Sequence, residues 1–272
     1  RITIDSNNTL YVNGNVHVKE NNKYGYNIHN EGKLIITDTL FNDVDSLFVS
    51  SSIKKLSQGS KEKEAFGSIS FEGKGVKHIT GNPLMYFSNI YIEDTLLTLD
   101  TSIKVFGEIK LNHSNNSNLY LNGNTIQLYD MDPDVKINTG VIDSSMENNR
   151  AETSTSRIYD DSTGMIKSFK NNTSMPANLG FRIDYNSYGW IYLTRYHLKE
   201  KNVTNGSMKE SFIIEESDLK DYETYLGESS NMEIHYLDTN LTSRMLADTT
   251  ELGIFQNSFS SNSNSTYYKH IG

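Results

Sequence analysis

The sequence predicts an all-β protein: a short right-handed β-solenoid over residues 1–136, then a β-sandwich domain over 137–272. Three observations predict it. The apolar residues fall in short runs with period-two alternation, the spacing that lines one face of a strand. Asn (31), Ser (32) and Thr (22) make up nearly a third of the 272 residues, and Asn turns the backbone through the left-handed region without Gly or Pro. Only 3 Pro stand against 17 Tyr; Thr, Tyr and Ile favour strands, and no window carries a helical apolar stripe.

The strand-like runs of the first half are 1–4, 10–15, 33–37, 67–71, 89–93, 96–99, 103–106, 108–111 and 118–122. They carry a weak internal repeat. Leu10-Tyr-Val-Asn-Gly-Asn15 recurs as Leu119-Tyr-Leu-Asn-Gly-Asn124, and residues 103–111 have the same form of strand, Gly, strand. Such rungs suit a solenoid, whose coils bury their inward residues against one another. Ile103, Val105, Ile109 and Leu111 are expected inside, and Lys104, Glu108 and Lys110 outside. Tight hairpins of a sandwich would give a similar pattern. Residues 50–64 are polar and charged and read as a protruding insertion.

Asp130-Met-Asp-Pro-Asp134 reads as a junction. Longer strand-like runs follow at 164–169, 179–184, 189–196, 211–215, 232–236 and 252–255, the texture of a sandwich. A Ser/Asn-rich loop at 258–266 leads to Tyr267-Tyr268.

Composition removes several functions. Leu, Ile, Val and Phe supply about a quarter of the residues, enough for a packed core. No apolar run approaches the roughly 20 residues of a membrane helix. The absence of Cys excludes disulfides, thiolate metal sites and thiol nucleophiles. The net charge of -9 argues against a phosphate-binding surface. The chain opens at Arg1 without Met, so a removed leader or a fragment is expected.

The search for reactive groups finds no compelling constellation. His17, His29, His78, His113, His197, His235 and His270 lack the helical metal spacing and read as surface or strand-edge residues. Asp130, Asp132 and Asp134 alternate as calcium ligands would, but Pro133 interrupts them and solvated turn acids are expected. A β-helical polysaccharide lyase or hydrolase would gather acids and a base on one face; Asp94, Asp100 and Glu108 with Lys104 and Lys110 are its candidates. The most site-like run lies at 190–197. Trp190, Tyr192, Thr194 and Tyr196 share one strand face, and Ile191, Leu193, Arg195 and His197 share the other. Two readings stand. Trp190 and Tyr192 stack a sugar while Arg195 and His197 bond its hydroxyls, as in a carbohydrate-binding module. Alternatively the Trp face is core, and Arg195 pairs with an acid at the exposed end of the other face. No cofactor, metal or catalytic residue is expected.

The order of these elements resembles the secreted surface proteins of Bacteroidetes-type bacteria that are exported by the type IX secretion system. Phe87-Ser-Asn-Ile-Tyr-Ile92 and Leu119-Tyr-Leu-Asn-Gly-Asn-Thr-Ile-Gln-Leu128 are similar to their β-helical rungs. Asn149-Arg150, Asn178-Leu-Gly180, Thr194-Arg-Tyr-His197 and Tyr236-Leu-Asp-Thr-Asn-Leu241 are similar to marks of the domain that follows. The family's aromatic-rich strand stands here as Ser211-Phe-Ile-Ile214. The resemblance implies a non-catalytic extracellular or cell-surface protein serving adhesion or gliding. Its partners would be the type IX outer-membrane translocon, the cargo shuttle and surface glycans, with no nucleic acid and no membrane insertion. It also implies O-glycans at Asp-Ser/Thr tripeptides, whose candidates are Thr39, Ser46, Thr95, Ser162 and Thr249.

Overall fold

The computed structural model describes residues 2–19, 27–30, 32–44, 47–50, 67–132, 135–142, 152–153, 155–171, 176–183, 187–188, 190–197, 210–216, 225–226, 232–235, 255–260 and 265–270. They are all-β. The chain visits three sheets in rotation, laying one strand in each. The first turn holds β1 (Ile2–Ile4), β2 (Thr9–Val12) and β3 (Val16–Val18). The next holds β4 (Asn27–Asn30), β5 (Lys33–Ile36) and β6 (Leu40–Asn42), and the third β7 (Leu47–Ser50), β8 (Ser68–Glu72) and β9 (Val76–Gly81). Then come β10 (Met85–Phe87), β11 (Asn89–Glu93) and β12 (Leu96–Leu99), followed by β13 (Ile103–Val105), β14 (Glu108–Leu111) and β15 (Asn118–Tyr120). Every strand pairs in parallel with its counterparts one turn before and after, giving the order β2-β5-β8-β11-β14 in the second sheet and β3-β6-β9-β12-β15 in the third. This stacking is compatible with the expected solenoid.

The register explains why the short alternating runs suffice. In the first sheet Leu47, Met85 and Ile103 lie in one column with Ile126 and Ile166. In the second, Leu34, Ile69, Ile90, Ile109 and Ile142 do the same. All ten are 0–2 % exposed and belong to one continuous hydrophobic cluster. Each fully buried aliphatic side chain contributes about 1.5–3 kcal/mol. Ile103, Val105, Ile109 and Leu111 point inward and Lys110 outward as expected; Lys104 and Glu108 are half-buried.

The corners stack as closely as the strands. Between the first and second sheets, Ser68 donates its amide to Gly32, Gly107 to Ser88 and Val141 to Gly107, at 2.8–2.9 Å. A Cβ on Gly67, which sits at φ +81°, would fall 1.8 Å from the carbonyl oxygen of Asn30 one turn earlier. Asparagine side chains cross between turns at all three corners. Asn30 Nδ2 donates to Ser68 O (2.8 Å), Asn42 Nδ2 to Asn82 O (3.1 Å) and Asn124 Nδ2 to Leu99 O (2.9 Å), while Asn15 Oδ1 accepts from the Thr39 amide (3.0 Å). Asn116 and Asn122 adopt positive φ, as the composition suggested.

The parallel ladders run past residue 136. After β16 (Thr125–Gln127), an antiparallel hairpin of β17 (Tyr129–Asp132) and β18 (Val135–Thr139) leaves the sheet, and β19 (Val141–Ile142), β20 (Ile158–Tyr159) and β21 (Met165–Asn171) rejoin the three ladders. Of the junction read at 130–134, residues 130–132 belong to the first strand of this inserted hairpin; Pro133 and Asp134 lie outside the described residues. The insertion read at 50–64 also lies outside them, apart from Ser50 at the end of β7. Antiparallel pairing with the ladders begins later. After β22 (Phe181–Ile183) and β23 (Ser187–Tyr188), β24 (Trp190–His197) pairs with β21, and β25 (Glu210–Glu216) pairs with β24. Ala177, Leu179 and Phe181 join the main cluster at this end. β26 (Tyr225–Leu226), β27 (Met232–Ile234), β28 (Phe255–Ser260) and β29 (Ser265–His270) form separate two-stranded pairs: β23 with β26, β22 with β27, and β28 with β29. Much of the run expected as a sandwich lies outside the described residues.

Gly73 and Gly67 separate strain from stacking. Both hold positive φ, +87° and +81°, but a Cβ on Gly73 meets nothing within 4 Å. Gly73→Ala is expected to cost about 1 kcal/mol, the left-handed penalty alone. Gly67→Ala adds a clash with backbone and should cost at least about twice that. Urea unfolding of the two variants measures the difference; equal losses would show that the corners do not bear on each other.

Candidate functional site

The strand singled out in the sequence, β24, lies between β21 and β25 in the first sheet, with its faces reversed from the core reading. Ile191 and Leu193 are buried in the main cluster, and Arg195 and His197 are buried beside them at 0 % and 4 % exposure. Arg195 lies opposite Ile166, so it occupies the next place in the inward column after an isoleucine. Neither Arg195 nor His197 presents a hydrogen-bonding group to a sugar at the surface. The side chain of Trp190 lies outside the described residues. Tyr192 is half-buried and packs on Phe169 (ring centroids 4.4 Å apart) and on Tyr129 at the foot of the inserted hairpin (5.8 Å). Tyr192 therefore serves a small cluster beside that hairpin, apart from the main core. Alternation separated the two faces correctly, but it could not say which one the end of a stack would cover.

Burying Arg195 requires a partner, and the expected acid is Glu152. Arg195 Nη1 donates to Glu152 Oε2 at 2.5 Å and Nη2 to Oε1 at 3.3 Å, with a further bond from Nη1 to Leu179 O at 3.2 Å. Glu152 Oε1 also accepts the Ile158 amide at 2.7 Å, which fixes the carboxylate against β20. Both side chains are enclosed, at 0 % and 1 % exposure. Beside them His197 Nδ1 stands 3.9 Å from Glu210 Oε1, its cross-strand partner. Arg195 Nε and His197 Nε2 are buried without a hydrogen-bond partner among the described residues. Burial, reinforced by the Arg195 charge, pushes the His197 imidazole down to about 4, against the pull of Glu210, Glu152 and Asp160. Nothing in the local sequence signals Glu152; it lies 43 positions from Arg195 and meets it only through the stacking.

The other nominated residues are dispersed. Thr39 and Thr95 are buried, and their hydroxyls donate to Asp38 Oδ1 (3.0 Å) and Gly75 O (2.7 Å). The Asp-Thr-Leu tripeptides 38–40 and 94–96 form the same corner, between the second and third sheets, in two different turns. Ser162 is half-buried; Ser46 and Thr249 lie outside the described residues. The lyase candidates do not share a face: Lys104 projects from the first sheet and Glu108 and Lys110 from the second, while Asp94 and Asp100 occupy two different corners. His17 pairs with Asp43, and His78 with Asp100 at 2.8 Å, both at the surface.

The outer faces carry side chains in register. On the second sheet Thr9, Lys33, Ser68 and Asn89 form one column, and Tyr11, Ile35, Ser70, Tyr91 and Lys110 the next. On the third, His78, Thr98, Tyr120 and Tyr159 align, with the last two rings stacked at 5.3 Å and Arg157 over Tyr159. Tyr120 donates to Asp161, and that bond raises its hydroxyl well above the ordinary range. A groove of about 330 Å³ opens along the first corner and the Thr9–Asn89 column. Lys33, which lines it, reaches Glu72: burial works to raise that carboxyl, but hydrogen bonds from Lys33 (2.8 Å) and Ser70 (2.9 Å) hold it below its usual value.

His197 gives the folded state a distinct acid sensitivity. Its folded value near 4 lies below the 6.5 of a free imidazole, so between these limits the unfolded chain binds the extra proton. Its contribution is full above about pH 6.5 and is lost as pH falls toward 4, by up to about 3 kcal/mol. Urea unfolding at pH 4.5 and 7.5 should show a larger drop for the wild type than for His197→Gln; identical drops would refute the assignment. Arg195→Met, which leaves Glu152 charged and buried, should cost about 3–5 kcal/mol, and adding Glu152→Gln should recover much of it. No family model, curated protein or solved structure matches the chain.

Proposed function

We propose that this chain is a β-solenoid scaffold of the cell surface, structural or adhesive and without catalytic activity. The observation that carries the reading is the outward register. Side chains such as Thr9, Lys33, Ser68 and Asn89 repeat along the stack at the strand spacing of about 4.8 Å. A fixed row of polar and aromatic groups suits weak contacts made many at a time, where linked sites raise the effective concentration of each other. The charged groups support the same reading. At the surface Lys33 is matched by Glu72 and His78 by Asp100, one acid to one base, and the groups that do gather, Arg195, Glu152, His197 and Glu210, are enclosed in the core.

Extracellular placement and export by the type IX translocon and its shuttle, implied by the sequence resemblance, belong to this proposal. The β-helical lyase or hydrolase is the rival reading.

Incubation of the purified chain with a panel of polysaccharides separates the two. The scaffold reading expects retention on immobilised glycans with no new reducing ends or unsaturated products. Turnover at enzymatic rates would overturn it. Fractionation of native cells should place the protein at the surface, and inactivation of the translocon should leave it inside.

A further inference from the structure

The groove beside the first corner has a chemistry of its own. It spans four turns, from Asn7 and Thr9 in the first to Asn89 and Tyr91 in the fourth. Among the described residues that line it, the one charged group is already matched. Lys33 Nζ is bonded to Glu72 at 2.8 Å. The amide of Asn89 is engaged in the stack, donating to Gly67 O at 3.0 Å and accepting from the Glu108 amide at 2.9 Å. The Tyr91 hydroxyl is bonded to Glu108, and burial followed by the Glu108 charge pushes it up to about 12, so it stays neutral.

The remaining polar groups among the described lining residues are uncharged. The side chains of Ser6, Asn7 and Thr9 are exposed and make no hydrogen bond among the described residues. Hydroxyl and amide groups both donate and accept. An anion would call for an unmatched cation, and a metal ion for unmatched carboxylates. Free hydroxyls and amides above a floor of glycine backbone, at Gly32 and Gly67, match a ligand that itself both donates and accepts at every position. Successive turns repeat at about 4.8 Å, close to the length of one pyranose unit in an extended glycan. Tyr91 supplies a ring at the far end.

We propose that this groove binds a neutral, extended oligosaccharide lying along the stack of turns. The inference rests on the adhesive reading above and names its ligand class. The test is calorimetric titration of the full chain with hexamers of β-1,4-linked glucose, xylose and N-acetylglucosamine, and with an oligogalacturonate as the charged control. The same chain is assayed for retention on glycan-coated surfaces. Asn7→Ala with Thr9→Val removes ligand contacts at exposed positions, and Ser68→Trp fills the groove; circular dichroism checks folding. The proposal expects at least one neutral hexamer to bind, about tenfold weaker binding in the double variant, and loss of binding with Ser68→Trp. It also expects the oligogalacturonate to bind more weakly than the neutral hexamer. Neutral binding or surface retention untouched by either variant overturns the groove while leaving the adhesive reading intact. Tighter binding of the oligogalacturonate overturns the charge argument. No saccharide binding and no surface retention by the wild type overturn both.

Discussion

Each turn of this chain takes its backbone hydrogen bonds from the turns before and after it. That single arrangement constrains nearly everything else. Strands in parallel register leave no freedom to slip, because a shift of one residue would turn Ile90 and Ile92 outward and Tyr91 inward. The corners must then stack as closely as the strands. At Gly67 the approach excludes any Cβ, and elsewhere Asn amides reach from one turn to the backbone of the next. The high Asn content therefore has a structural use. A side chain that both donates and accepts satisfies corner carbonyls and amides that no strand can reach.

Arg195 occupies the inward column where another isoleucine would continue the core, and Glu152 meets it from the preceding turn. A buried ion pair is weak evidence for stability, since desolvation offsets much of the attraction. Here it marks the change from parallel to antiparallel pairing. Two charged groups that need each other in one geometry add to the apolar alternation in fixing the register of β24 against β21. On the outer side of the same strands, Tyr129, Phe169 and Tyr192 anchor the inserted hairpin, so one stretch of sheet holds a charged layer within and an aromatic one without.

Much of the fold was legible in the chain. Runs 89–93, 96–99 and 108–111 coincide with strands, and the inward set from Ile103 to Leu111 is as alternation predicts. The repeat was legible in content but not in phase. Leu10–Asn15 leads from the second sheet to the third, whereas Leu119–Asn124 leads from the third back to the first. The sequence thus encodes a side and a corner, not a whole turn, and similar hexapeptides serve different corners. Val16–Val18 and Met85–Phe87 were not among the runs read, although the equally short Ile103–Val105 was. The site residues were less legible. Arg195 and His197 are polar side chains in an inward column, and only the Glu152 and Glu210 partners brought from elsewhere make that placement tolerable.

The inserted hairpin has a mechanical corollary. Between Gln127 and Val141 the chain departs from the stack and returns without disturbing the register on either side. Length added at a corner is invisible to the neighbouring turns, whereas a residue added within a strand would offset every layer beyond it. Under tension such a molecule would yield by peeling, one turn released at a time, each release paying out slack in proportion to the length of its corners. Turns with long excursions would then act as built-in shock absorbers, lengthening the tether at a force set by the three short ladders that hold a single turn.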